Sequence, residues 1–398
     1  MNHSSLTNRK YAVPFVLITA LFFLWGFARS ILVVLNKHFQ DSQSLTITQS
    51  SLIQVSCYLA YFVMALPAGI YISRLGYRRG VVTGLLIFAL GAFLFIPGTH
   101  MDMFGLCLGA LFILSCGLAF LETAANPYST LLGPNETATS RLNLSQSING
   151  LGGCLGPFIM GGYLFNQMDA DPSIPYAIMG VLVILFAGIF GHVKLPEIQT
   201  EQCEEKPSQN PIRELLHNRM FVFGLCALLA YEVSEICINS YFVNYVTDMG
   251  WMEADEASYL LGLSLFAFMV GRFFGSWIMR YVSAAKLLCI FASGSILCMG
   301  MLLMCTSFPS ETGTMPICFL MLNFLFESIM FPTIFSLALG EVNHLTKMAS
   351  SLLMMTPVGG CGFMVMAIIA DAMGGSTLPF VIPLAGFAVI WLYARKKI

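Results

Sequence analysis

Charge is what this sequence has least of. Only 10% of its 398 residues are Asp, Glu, Lys or Arg, against about 25% in a typical soluble domain. With 57% hydrophobic residues and a mean hydropathy of +0.78, most of its surface must face lipid rather than water. A net charge of −2 gives no basic surface for a nucleic-acid partner. Metal-binding patterns are missing too. The twelve cysteines are scattered singly without a CxxC pair, and no histidine stands in the middle of an apolar run. The cysteines therefore read as small buried hydrophobes, and neither a metal site nor a cofactor is expected. No nucleophile–base arrangement is visible, so an enzyme is not expected. Alternating ten-residue segments, the mark of an outer-membrane barrel, are also lacking. Nor is a cleavable signal expected: Arg9 and Lys10 precede a run from Tyr11 to about Leu35, longer than the roughly 7–15 residues of a signal core.

What is abundant is Phe (33), Met (24) and Gly (35), the mix of bulky lipid-facing and small helix-contacting residues found in membrane bundles. Hydrophobic runs fall near 11–35, 51–72, 80–98, 103–131, 142–166 and 174–193. They resume near 219–247, 257–279, 285–307, 314–339, 348–370 and 376–394. Each is long enough to cross about 30 Å of hydrocarbon. The spacing predicts an all-α polytopic membrane protein of twelve transmembrane helices. All nineteen basic residues except Lys37, which falls outside, and Arg29, within the membrane, lie near one side if both termini are cytoplasmic, as the positive-inside rule requires. That places both ends of the chain on the cytoplasmic side of the membrane. The polar stretch 195–218 divides it into an N-terminal bundle, 1–194, and a C-terminal bundle, 219–398, with the stretch itself a cytoplasmic linker.

The two halves repeat one another. Glu122 stands five residues before Pro127 and Glu327 five before Pro332, an offset of 205. Gly69…Arg74 matches Gly275…Arg280 at 206, and Leu151-Gly-Gly-Cys154 matches Val358-Gly-Gly-Cys361 at 207. Two parallel six-helix repeats describe the major facilitator architecture, with its substrate site between the halves near the midplane. A carboxylate at bilayer depth costs about 2.5–3.5 kcal/mol on insertion scales, so Glu122 and Glu327 are expected to face a polar cavity and to have a task there.

Leu121-Glu-Thr-Ala-Ala-Asn-Pro127, Arg141-Leu-Asn-Leu-Ser-Gln146, Asn149-Gly150 and Leu52-Ile-Gln54, with Pro332-Thr-Ile-Phe-Ser336 and Ala370-Asp371 in the second half, resemble the fucose–galactose–glucose–proton symporters of the major facilitator superfamily. The likeness covers essentially the whole chain. It implies import of a neutral monosaccharide, L-fucose or a related hexose, coupled to proton entry by alternating access, with the protein functional as a monomer. The Arg74…Arg78-Arg79 loop resembles the superfamily's gating loop but has Ser73 in place of its usual acid. In helix 1 the family usually carries an aspartate, linked to proton movement, four residues beyond the position of Arg29; here that residue is Val33.

Residues three or four apart share a helix face. Glu122 and Asn126 share one, with Glu122 the expected proton carrier or, alternatively, a structural partner of Arg29. Arg29 is read as the only cation within a span, and pairing with Glu122 is favoured over direct contact with sugar hydroxyls. Trp25, one turn away, offers an aromatic platform or plain packing. Asn143, Gln146 and Asn149 form a stripe of uncharged amides suited to sugar hydroxyls, or to inter-helix hydrogen bonds. Gln54 and Tyr58 make another polar pair. Glu232, Glu235 and Asn239 share a face. The resemblance implies that Glu235 is common among relatives and Glu232 an addition. Asn323 and Glu327 are four apart. The loss of the helix 1 acid suggests that one of the three second-half acids, Glu232, Glu235 or Glu327, replaces it in proton coupling, with Glu235 and Glu327 the candidates to test; structural pairing or a place at a helix end is the alternative. Pro127, Pro157, Pro332 and Pro357 predict helix kinks. Other classes remain: an uncoupled facilitator, a sugar or drug exporter, and a non-transporting sensor, for which the linker leaves no room for a signalling domain.

Overall fold

A computed structural model describes residues 7, 9–101, 103–134, 138–166, 171–193, 211–279, 281–305, 314–342, 345–373 and 377–398. The first half comprises α1 (Ala12–Gln43), α2 (Ile47–Ser50), α3 (Leu52–Leu75), α4 (Tyr77–His100), α5 (Phe104–Leu131), α6 (Ala138–Asn166) and α7 (Ser173–His192). The second comprises α8 (Pro211–His217), α9 (Arg219–Asp248), α10 (Ala254–Ile278), α11 (Ala284–Met304), α12 (Thr314–Glu327), α13 (Met330–Leu339), α14 (Thr346–Leu353), α15 (Phe363–Met373) and α16 (Val381–Lys397). Eleven helical segments among the described residues are long and apolar enough to cross a membrane. The twelfth crossing is α6, 29 residues long. It is more polar than the others because it packs along α1 and α10 and offers little of itself to lipid. An even number of crossings returns the chain to the face it started from; that face is called the terminal end below. Most of the 195–218 linker lies outside the described residues.

Turn chemistry fixes several boundaries. Thr46 and Gln49 form a reciprocal capping box that starts α2. Gly76, at φ 85°, makes the tight corner between α3 and α4, a backbone conformation that favours glycine. Next to it, Arg78 donates to the carbonyls of Phe190 and Gly191 and so caps the end of α7. Arg141, fully buried, donates to the carbonyls of Ser129, Thr130 and Pro134 and so holds the last turn of α5.

The predicted kinks divide into two groups. Pro127 and Pro157 sit inside continuous helices. Near Pro332 the tenth crossing breaks into α12 and α13, and near Pro357 the eleventh breaks into α14, a 3-10 stretch (Thr356–Gly362) and α15. A proline has no N–H to give the carbonyl four residues earlier and its ring crowds that carbonyl. At Pro332 the carbonyl left over belongs to Ser328.

The halves meet along two seams, α6 against α10 and α3 against the 3-10 stretch. Glycines allow close approach there. A Cβ on Gly360 would lie 2.3 Å from the ring of Tyr58, and one on Gly161 would lie 2.7 Å from Ser258. At the end opposite the termini, Asp371 of α15 accepts from the backbone N–H groups of Ile47 (3.2 Å) and Thr48 (2.8 Å) and from the Thr48 hydroxyl, tying the second half to the first turn of α2.

Candidate functional site

A cavity at the junction of the halves encloses about 860 Å³ of empty space, its open mouth included. From the first half its wall takes Trp25 and Arg29 of α1, Tyr58 of α3, Glu122 of α5, and Gln146 and Asn149 of α6. From the second it takes Tyr231, Glu232, Glu235 and Asn239 of α9, Phe268 and Arg272 of α10, and Phe331 of α13. Two guanidiniums and three carboxyls thus share one space with aromatic faces.

The ion pairing differs from the sequence expectation. Arg29 does not take Glu122 as its partner. Its Nη2 lies 3.2 Å from Glu232 and 3.6 Å from Glu235, both on α9. Its Nε donates to the Tyr58 hydroxyl at 3.3 Å, and its guanidinium stands 5.5 Å from the centre of that ring. The physical reason is reach across the cavity: Arg29 projects from α1 toward α9, while Glu122 accepts from the Tyr61 hydroxyl at 2.7 Å. The residue read as an addition, Glu232, is the nearer acid and is 1% exposed. The pair therefore links the two halves.

The amides of α6 are largely engaged with neighbouring helices. Gln146 donates to Asn126 Oδ1 at 3.1 Å and accepts from Arg272 at 3.3 Å. Asn149 donates to the carbonyl of Phe22 at 2.9 Å. The side chain of Asn143 lies outside the described residues, as does that of Val33.

Four predicted residues do not line the cavity. Gln54, one turn beyond Tyr58, is buried where Cys361 donates to the neighbouring carbonyl of Val55. Asn126, one turn beyond Glu122, is taken up by Gln146 and by the sulfur of Met354. Asn323 donates to Glu327 at 2.9 Å, so the predicted neighbours do touch, but both are fully buried. The reason is that α12 packs between α10 and α11, and the tenth crossing reaches the cavity through Phe331 of α13 instead.

Four charged or aromatic wall residues escaped the sequence reading: Tyr231, Phe268, Arg272 and Phe331. Arg272 was assigned to the membrane edge, which made Arg29 the only cation within a span. It is instead 4% exposed and stands with its guanidinium carbon 4.5 Å from the centre of the Phe268 ring. Tyr231 is 1% exposed, and its hydroxyl has no hydrogen-bond partner among the described residues. The Oδ1 of Asn239 is likewise unpartnered. Tyr231 stands four residues before Glu235 and eight before Asn239 on α9, so it continues the face that the sequence reading gave to those two. Tyr61, three residues after Tyr58 on α3, escaped as well, because its partner Glu122 lies on another helix. Buried polar atoms without partners are uncommon in proteins. Two of them, the Tyr231 hydroxyl and Asn239 Oδ1, belong to residues of the cavity wall, with the atoms themselves buried.

Twelve crossings in two halves around a central cavity that carries ionisable side chains define a membrane transporter, and a model of the Major Facilitator Superfamily matches residues 18–364. The chain belongs to that superfamily. It is 36% identical to the glucose/galactose transporter of Brucella abortus, over 98% of this chain and 96% of that one. It is 32% identical to the L-fucose-proton symporter of Escherichia coli, over 98% and 94%. Among solved structures, the superfamily transporter FucP in its outward conformation matches with a TM-score of 0.77 at 32% identity, over 98% of this chain and all of that one. A bacterial homologue of the human lysosomal transporter Spinster, inward-facing, matches at 0.72 with 14% identity and 98% of each chain covered, a likeness of fold alone.

Proposed function

We propose that the chain imports a neutral monosaccharide, L-fucose or a related hexose such as galactose or glucose, together with protons, across the bacterial cytoplasmic membrane by alternating access. The relatives' transport of fucose, glucose and galactose supports the substrate class. The observation that carries the reading is the cavity wall itself. It mixes aromatic faces (Trp25, Tyr58, Phe268) with unpartnered hydroxyl and amide groups (Tyr231, Asn239) and two carboxyls, Glu122 buried and Glu235 half-buried. Polyhydroxylated rings are held by such donors and acceptors over an aromatic plane. A proton carrier needs a carboxyl that the cavity can reach from either side.

In this reading Glu122 and Glu235 carry the coupling. Glu327, fully buried beside Asn323, takes part only in a state that opens the α12 face. Trp25, Arg29, Tyr58, Asn149 and Asn239 contact the sugar, with Gln146 beneath them. Residues 1–194 and 219–398 are the two moving bundles, 195–218 is a cytoplasmic linker, both termini are cytoplasmic, and the monomer suffices. Reporter fusions at each terminus test the orientation.

The decisive experiment is sugar-induced alkalinisation of the medium by cells expressing the protein, with counterflow of labelled L-fucose, D-galactose and D-glucose in proteoliposomes. Proton uptake with any of the three supports the symporter; counterflow without proton uptake supports the second reading. That reading, an uncoupled facilitator, rests on Val33, which stands where the family usually has its helix 1 acid. It expects sugar-driven proton uptake to appear in Val33→Asp and not in the natural protein.

A further inference from the structure

Arg272 lines the cavity, yet the transport reading gives it no task. Its Nε donates to the carbonyl of Ser328 at 3.0 Å, and its Nη1 donates to the carbonyl of Gln146 at 3.1 Å and to Gln146 Oε1 at 3.3 Å. Ser328 lies in the break between α12 and α13. Its carbonyl is free to accept because Pro332, four residues on, has no N–H to offer. Gln146 belongs to α6, in the other half. One guanidinium therefore spans the α6–α10 seam, with an acceptor left over from a proline break on one side and a neighbouring helix on the other.

The charge of Arg272 is held by these oxygens and by the face of the Phe268 ring, 4.5 Å away. No carboxylate oxygen stands within 4.0 Å of it among the described residues. Elsewhere along the same seam the glycines make close contacts with small or apolar groups, Gly150 against Met269, Gly161 against Ser258 and Gly262 against Phe158 among them. Such contacts can slide; a forked, charge-assisted set of hydrogen bonds has one geometry. Gln146 and Arg272 also lie toward the terminal end of their helices, while Asp371 ties the halves at the opposite end.

We propose that Arg272 is a positioning residue of the transport cycle. It locks the α6–α10 seam on the terminal side and must release Gln146 before the pathway opens there. Release removes two acceptors from a buried guanidinium, so the seam resists opening until water or ligand hydroxyls take their place. Lysine cannot substitute, because an ammonium lacks the fixed fork that reaches Ser328 and Gln146 together. The seam rests on the superfamily fold; only the rate readout below also rests on the sugar reading.

The test uses the full chain in lipid nanodiscs, comparing hydrogen–deuterium exchange of the natural protein, Arg272→Lys and Gln146→Ala. Arg272→Lys is expected to exchange roughly tenfold faster over 138–150 and 266–278, and Gln146→Ala, which removes the Oε1 acceptor but keeps the carbonyl, about threefold faster, with 47–55 and 363–373 unchanged. Should Arg272→Lys fail to fold, Gln146→Ala decides alone. In proteoliposomes, exchange of labelled D-galactose and L-fucose by Arg272→Lys should change in maximal rate while half-saturation stays within about twofold. Unchanged deuterium uptake at the seam overturns the proposal, as does a uniform rise through both halves. A shifted half-saturation at constant maximal rate also overturns it, since Arg272 would then be a sugar contact. If the natural protein exchanges neither sugar, the sugar reading fails by itself and the deuterium result still decides the seam.

Discussion

Replacing Arg29 should cost more than replacing either of its acidic partners, and the asymmetry can be worked from distances. Two carboxylates stand 3.2 and 3.6 Å from one guanidinium nitrogen. At an effective dielectric of about 20 each contact is an attraction of about 5 kcal/mol before desolvation is subtracted. Glu232→Gln leaves the arginine paired with Glu235, so the net loss is that of one charge-assisted hydrogen bond, about 1.5–3 kcal/mol. Arg29→Gln leaves two carboxylates facing each other, one of them 1% exposed. Removing the partner of a buried charge costs about 3–5 kcal/mol. The double variant Arg29→Gln/Glu232→Gln removes the stranded acid and should regain more than about 1 kcal/mol of that loss. Thermal and denaturant unfolding of the detergent-solubilised protein measures all three. Losses that add within about 0.5 kcal/mol would show that the groups are not energetically linked and would refute the reasoning.

Glu122→Gln should abolish uphill accumulation of sugar while leaving exchange of labelled sugar measurable; equal loss of both would assign Glu122 a structural role with Tyr61. Tyr231→Phe and Asn239→Ala remove groups without protein partners, so stability should stay within about 0.5 kcal/mol. Half-saturation for sugar should rise about five- to tenfold, the equivalent of about 1–1.4 kcal/mol; an unchanged value would take both residues out of the binding site. Gly26→Ala places a Cβ 2.2 Å from the carbonyl oxygen of Asn149. It should destabilise by about 1–3 kcal/mol or more, because backbone must move to admit it, and a neutral effect on unfolding would mean α1 and α6 are not in contact there. Asp371→Asn keeps the side chain's shape but removes the charge facing the first turn of α2. Its cost should be about 0.3–1 kcal/mol, read as roughly two- to fivefold faster amide exchange over 47–55; no change would mean that the tie does not hold the halves together.

The architecture was legible because the membrane imposes it. A run of apolar residues about 20 long has few alternatives to a crossing helix, and the repeat at offsets of 205–207 disclosed two halves without any contact being known. The one crossing that does not stand out by hydropathy, α6, is the one enclosed by other helices. Its polarity was visible as a stripe of amides but could be read in two ways. The structure commits Gln146 and Asn149 to hydrogen bonds with neighbouring helices, the alternative that the same spacing allowed.

Partners across the cavity were not legible, and the reason is geometric. A helix sequence gives the angle at which a side chain leaves its axis, and from that angle Arg29, Glu122, Glu232 and Glu235 were all candidates to face one space. Which acid meets the arginine depends on how far apart the helices stand, and no periodicity within one helix encodes that distance. Depth has the same difficulty. Arg272 lies six residues before the end of α10, about 9 Å along the helix axis, close enough to the edge to pass for a flanking charge. What sets it inside is the carbonyl of Ser328, left over by Pro332 on a crossing 56 residues away. The proline was legible as a kink; that its leftover acceptor would hold a cation at the seam between the halves required knowing which helix lies beside the break.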